Sequence, residues 1–148
     1  MTITTIPDEA LTIVKDFEGY RDKPYKCPAG KLTIGYGHVL KTNEKISSLT
    51  TPVATSILKE DLSAALDVVN KYVKVYLLQN QLSSLLSFIY NIGEPQFKTS
   101  TMLKKLNNGD YPGAAKEFKR WKFIGKKVSD GLVNRRQKEY ELFIKDMK

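Results

Sequence analysis

Apolar residues recur along this chain at two spacings, and the change from one to the other comes early. Ala10, Leu11, Val14 and Phe17 follow helical spacing. Pro7-Asp8-Glu9 before them suits a helix start, because proline fits the first turn and acidic side chains complement the dipole there. Gly19 supplies a left-handed stop. Residues 20–39 then read as strand and turn, with Tyr25-Lys-Cys27 and Leu32-Thr-Ile-Gly-Tyr36 flanking the turn sequence Pro28-Ala-Gly30. Helical periodicity returns after Thr51, the expected N-cap, with Pro52 at the first helical position. Leu58, Leu62, Ala65, Leu66, Val69 and Val73 make one stripe of a helix of about twenty residues, long enough at 1.5 Å per residue to join two lobes. Shorter helices are expected from about Gln79 to Asn91 with a stop at Gly93, from Ser100 to Leu106 with a stop at Asn107-Asn-Gly109, and from about Tyr111 to Trp121. A last helix, capped by Ser129, is expected from about Leu132 to the chain end. The pattern predicts an α+β fold in which a small sheet lobe is inserted near the front of a helical protein.

Size and composition narrow the picture. At 148 residues the chain has the length of one domain and can bury about two-thirds of its extended surface, so a conventional apolar core suffices. One cysteine rules out an internal disulfide and a multi-cysteine zinc site, and one histidine argues against a histidine-rich metal site; no cofactor and no metal are expected. No segment has the signature of a secretory signal or the length of a membrane span, so the protein is expected in the cytoplasm, with any route out supplied by another factor.

The charge is uneven. Residues 1–74 hold ten Lys/Arg against nine Asp/Glu, and residues 75–148 hold fourteen against seven, for a net charge of +8. Such a surface attracts polyanions: nucleic acid, acidic lipid or a wall polymer. Lysines 98, 104, 105, 116, 119, 122, 126 and 127 could form a nucleic-acid face, but no recognised nucleic-acid motif accompanies them, and none is expected as a partner.

The chemistry concentrates where the two spacings meet. Glu18 ends the first helix, where the dipole disfavours a negative charge and so favours a carboxyl group able to act as a general acid. Cys27 lies nine residues on and Thr33 fifteen. If the intervening residues form the turn, Cys27 and Thr33 face each other across a hairpin, where the thiol could serve as base or nucleophile and the hydroxyl could hold a water. The plainer alternatives are a solvated surface glutamate, a small buried thiol and an ordinary strand threonine. Cys27 with His38 also permits a different enzyme, a Cys–His amidase or endopeptidase acting on wall peptides.

Glu18-Gly19, Tyr25, Cys27, Gly30 and Thr33-Ile-Gly-Tyr-Gly-His38 together resemble the active-site motif of phage-type lysozymes, the endolysin muramidases of tailed bacteriophages. The family pattern is Glu, eight residues, Asp or Cys, five residues, Thr, and this sequence has it. Gln81 to Ser87-Phe-Ile-Tyr-Asn-Ile-Gly93, Phe97 with Ser100 to Gly109, and Gly131-Leu-Val-Asn-Arg-Arg136 with Glu139 and Leu142-Phe143 are similar to later blocks of the same family, in the same order. The resemblance implies a bilobed lysozyme-like domain over 1–148. Its small β-containing lobe would lie at about 15–60, joined by the long helix to a helical lobe of about 70–148 plus the N-terminal helix. It implies cleavage of the β-1,4 bond between N-acetylmuramic acid and N-acetylglucosamine in peptidoglycan, with Glu18 as acid and Thr33 orienting water. Cys27 stands where many members have Asp, so the second half of the mechanism, inverting or retaining, stays open.

By the same resemblance Arg135 faces the acid, with Arg136 as its fallback. Charge placement makes His38 and Asp61 the expected structural ion pair fastening the small lobe, and Tyr90 and Ser100 match family positions that line the saccharide cleft. Glu117 is not counted as a ligand, and Trp121 is expected in core or interlobe packing. A monomer is expected, and the excess of lysines in the C-terminal half is read as holding it on an anionic envelope surface; the resemblance also implies that it stays in the host cytoplasm until holin-dependent release.

Overall fold

The protein, described by a computed structural model over residues 2–27 and 30–147, folds as a small antiparallel sheet beside a larger set of helices. The order is α1 (Asp8–Glu18), β1 (Arg21–Lys26), β2 (Leu32–Gly35), β3 (His38–Val39), α2 (Thr51–Tyr72), α3 (Gln79–Ile92), α4 (Glu94–Lys98), α5 (Thr101–Asn107), α6 (Tyr111–Glu117), β4 (Phe123–Ile124), β5 (Lys127–Val128) and α7 (Asp130–Ile144). The sheet runs β1-β2-β3, and β4-β5 form a separate two-stranded hairpin.

Local chemistry explains most boundaries. Gly19 ends α1 at φ 69°, and its N–H donates to the Lys15 carbonyl at 3.0 Å. The cap of α2 is Thr50, not Thr51, which already lies inside the helix. Gln81 reaches back to accept from the Leu78 N–H at 2.9 Å, closing the start of α3. The Ser100 hydroxyl oxygen accepts from the Leu103 N–H at 3.1 Å, and the Ser129 hydroxyl oxygen accepts from the Leu132 N–H at 3.2 Å, capping α5 and α7. α6 stops at Glu117, and Phe118–Arg120 tighten into a 3-10 turn. α7 ends at Ile144, short of the chain end.

The core is one cluster. α3 lies at its centre, with ten successive residues from Asn80 to Ile89 buried. A helix buried on every side must be enclosed by others, and α3 packs on α1, α2 and α7. Phe88 meets Phe118 and Trp121 edge-on, with centroids 5.1 and 5.7 Å away. From Ala54 to Val69, α2 carries the apolar stripe from the sheet lobe into the helical lobe.

Candidate active site

α1 delivers Glu18 to the cleft between the lobes, and α7 delivers its partner. The Arg135 Nη1 donates to Glu18 Oε2 at 2.8 Å. The arginine is itself held from several sides. Its Nη2 donates to the Ser87 carbonyl at 3.1 Å and its Nε to Glu139 Oε2 at 3.4 Å, while its guanidinium lies 5.1 Å from the Phe17 ring centre. Glu139 has no solvent exposure. It also accepts from the Ser87 hydroxyl at 2.6 Å and from Arg136. Arg136, the fallback partner for Glu18, is instead spent on Glu139, Asn91 and the Trp121 carbonyl. Burial lowers its pKa from the ordinary guanidinium value, against the pull of Glu139. Two carboxylates and two guanidiniums thus alternate Glu18–Arg135–Glu139–Arg136, so each charge of this network faces an opposite one.

Opposite Glu18 stands the sheet, in a register that differs from the sequence expectation. Thr33 pairs with Tyr25, not with Cys27. Cys27 stands across from Lys31, to whose carbonyl its N–H donates at 2.9 Å; Pro28 and Ala29 of the expected turn lie outside the described residues. The turn closes four residues after Cys27 rather than six. Strand alternation still places Tyr25, Cys27, Lys31 and Thr33 on one face, and all four line the cleft with Glu18. The buried Thr33 hydroxyl donates to the Lys31 carbonyl at 3.1 Å, which leaves its oxygen as an acceptor. Gly37 closes the site at φ 81°. A Cβ there would lie 2.5 Å from Glu18 Oε1, so only glycine permits the carboxylate to rest where it does.

At the cleft edge, His38 Nδ1 faces Asp61 Oδ2 at 2.8 Å, joining β3 to α2. Its Nε2 faces Glu44 at 3.0 Å. Burial opposes the imidazolium, but the hydrogen bond and charge of Asp61, then those of Glu44, outweigh it, and the pKa rises above the ordinary 6.5. With both nitrogens engaged by carboxylates and the proton held, His38 is poorly suited to act as a general base. Tyr90 also lines the cleft and donates to the Tyr36 carbonyl at 2.9 Å, across the lobe junction. Burial, foremost, keeps its phenol protonated. Ser100 is a different case. It is buried, and its hydroxyl donates to the Phe97 carbonyl at 2.7 Å while capping α5; it borders a neighbouring depression with Glu117 and Trp121, outside the cleft. Glu117 is paired there with Arg120 at 3.1 Å.

Sequence reasoning passed over Glu44, and it quoted Tyr25, Ser87 and Glu139 only as parts of the family's motifs, without giving them a role in the site. Tyr25 was within reach, since it lies two residues from Cys27 on the same strand face. Glu139, at i+3 and i+4 from two arginines, also left a helical-spacing signal.

A sheet lobe and a helical lobe meeting over an anchored glutamate make this a lysozyme-type glycoside hydrolase. The phage lysozyme family model matches residues 15–139. An endolysin of Acyrthosiphon pisum secondary endosymbiont phage 1 is 43% identical over 142 residues, covering 93% of this chain and 97% of its own. The endolysin of Bacillus phage PZA is 43% identical over 140 residues, covering 93% of this chain but only 54% of that protein's own length. A SAR-endolysin of Bacteriophage PS119 is 38% identical over 125 residues, 84% of this chain and 75% of that one. Among solved structures, a mutant P22 lysozyme superimposes with TM-score 0.85 at 36% identity, covering 96% of this chain and 99% of that one. The muramidase domain of SpmX from Asticaccaulis excentricus gives 0.86 at 34%, covering 96% and 99%. The chain belongs to the phage lysozyme family.

Proposed function

We propose that this enzyme cleaves the β-1,4 bond between N-acetylmuramic acid and N-acetylglucosamine in peptidoglycan, and so lyses a bacterial host. The observation that carries the reading is the way Glu18 is presented. Arg135 donates to Oε2, which reserves Oε1, beside Gly37 at the cleft, for the proton to be handed to the departing sugar oxygen. Across the cleft, Thr33 can accept a hydrogen from the attacking water because its own proton is directed at Lys31. Cys27 lines the same face and supplies the position for a base or nucleophile. Tyr90, which lines the same cleft, would contact the sugar.

Glu18→Gln removes the proton donor, and the rate should fall by about 10²–10⁴. Mass analysis of digested murein is the test. New reducing ends on muramic acid, lost in the variant, support the reading; a variant above about a tenth of normal rate, or freed peptide amines, would overturn it. Cys27→Asp separates the sulfur's roles: retained activity means that the site needs an ionisable group, and loss means a step specific to sulfur.

The protein acts as a single-domain monomer that waits in the host cytoplasm and reaches the wall through a hole made by a holin-type partner. No helix among the described residues is long and apolar enough to cross a membrane. The excess of cations in the C-terminal half suits an anionic envelope. Lysis from within before such a partner is co-expressed would argue against the release step.

A further inference from the structure

The hairpin β4-β5 forms a two-stranded sheet of its own, and Phe123 and Ile124 border a groove shared with Trp121, Leu132 and Arg136. Phe123 is paired with Val128 and Ile124 with Lys127, so Phe123 and Val128 share one face and Ile124 takes the other. All three apolar side chains are nonetheless at least half exposed: Phe123 50%, Ile124 59% and Val128 53%. The strand pair forms a finger that leaves apolar groups half exposed on both faces, with open space around Gly125 at its tip. Cations surround it. From Lys119 to Val128 the chain carries Lys119, Arg120, Lys122, Lys126 and Lys127, and no acid. Among the described residues, Lys122, Lys126 and Lys127 have no carboxylate partner. Gly125 makes the tip by taking φ 61° at the first position of the two-residue turn.

We propose that this finger is a membrane-docking element that enters the interfacial layer of an anionic lipid bilayer. A wall polymer is polar and hydrated, and a flat contact could cover one face of the hairpin only. A bilayer interface can surround both faces. It accepts an aromatic and two branched aliphatic side chains, while the lysine ammonium groups stay at the level of the lipid phosphates. Each cation near such a surface contributes about 1 kcal/mol, and the apolar side chains add a contribution that salt does not screen. Neither alone gives firm attachment; together they are two signals on one six-residue element. Docking there would keep the enzyme beside the envelope on which the cleft works.

The proposal rests on the reading that the basic half faces an anionic envelope, and the experiment separates the two. Full-length protein is sedimented with vesicles of phosphatidylethanolamine and phosphatidylglycerol, and with phosphatidylcholine alone, over a salt series. Phe123→Ser/Ile124→Ser/Val128→Thr retains every charge. It should bind phosphatidylglycerol vesicles at least about tenfold more weakly than the parent and lose the salt-resistant part of binding, while cleaving small soluble muropeptides at the parental rate. Lys122→Gln/Lys126→Gln/Lys127→Gln should lose the preference for the anionic lipid. Equal binding by the apolar variant would overturn the finger and leave only general electrostatics. A matching loss of muropeptide cleavage would overturn it in favour of a substrate contact. Absence of vesicle binding by the parent, while whole-cell lysis still weakens with salt, would sink the finger alone; lysis indifferent to salt would sink the envelope reading beneath it.

Discussion

Gly37 shows how narrowly the acid is placed. Its φ of 81° already disfavours any side chain by about 1–2 kcal/mol, and a methyl group would meet Glu18 Oε1. Gly37→Ala should therefore lower turnover on murein by tenfold or more, about what a misplacement near 1 Å brings, with only a modest fall in melting temperature. Normal turnover would mean that Glu18 is not held by this contact. Glu139 acts one residue further back. Glu139→Ala leaves two guanidiniums facing each other in the interior and should cost about 3–5 kcal/mol in urea unfolding. Replacing the pair together, Arg136→Met with Glu139→Leu, should restore most of that stability yet leave activity low, because Arg135 loses the carboxylate that aims it. Recovery of both would make the pair structural only. Glu18 itself was legible in the sequence because a helix stop and a hairpin meet there. That Arg135 faces it came from the family resemblance and holds in the structure; what fixes its aim, Ser87 and Glu139, was not legible, because those residues come from helices joined only in the fold.

At the scale of elements, His38 fastens β3 to α2 through Asp61 and to the following loop through Glu44, and the strength of that fastening depends on pH. The folded state raises His38 above 6.5, so its contribution is fully present below that value and is lost as pH rises through the folded one. Glu44 is held below 4.5, first by the Lys41 N–H and then by His38, so its share is present above 4.5 and lost as pH falls through the folded value. Burial raises Asp61 from 3.8 and offsets part of Glu44's share on the acid side. The clean window lies above 6.5, where His38 alone of the three changes charge. His38→Gln should flatten the decline of stability as pH rises above 6.5, measured by urea midpoints; an unchanged slope would remove the histidine from this role. The long elements were legible because α1, α2 and α3 carry enough turns to reveal a period. The five-residue α4 and the two-residue strands β4 and β5 are too short to do so. Register was misjudged for a related reason: a turn that closes at Lys31 rather than Thr33 leaves both side chains on the same face, and alternation cannot tell the two apart.

Across the whole molecule, the question is whether the lobes stand or fall together. α2 is 22 residues long, about 33 Å, and its buried side chains belong to one cluster that runs from Ala54 and Leu58, near the sheet, to Leu66 and Val69 in the helical lobe. Tyr36 joins that cluster from the sheet lobe, and its carbonyl accepts from Tyr90 of α3. The N-terminal segment is tied to the far end of α2, where Asn70 accepts from the Ile3 N–H and donates to its carbonyl, both at 2.8 Å. A core shared in this way gives the small lobe little apolar burial of its own: of its strands only β2 is buried, through Thr33 to Gly35. The expected behaviour is a single cooperative unit. Amide exchange at Ile34 and at Leu86 should then report the same opening free energy near the denaturation midpoint. Leu58→Ala, which removes a side chain 1% exposed, should lower both by the same amount, about 2–5 kcal/mol. Loss of protection at Ile34 while Leu86 stays protected would divide the chain into two units, and the cleft between them would then have to be assembled by the substrate rather than by the core.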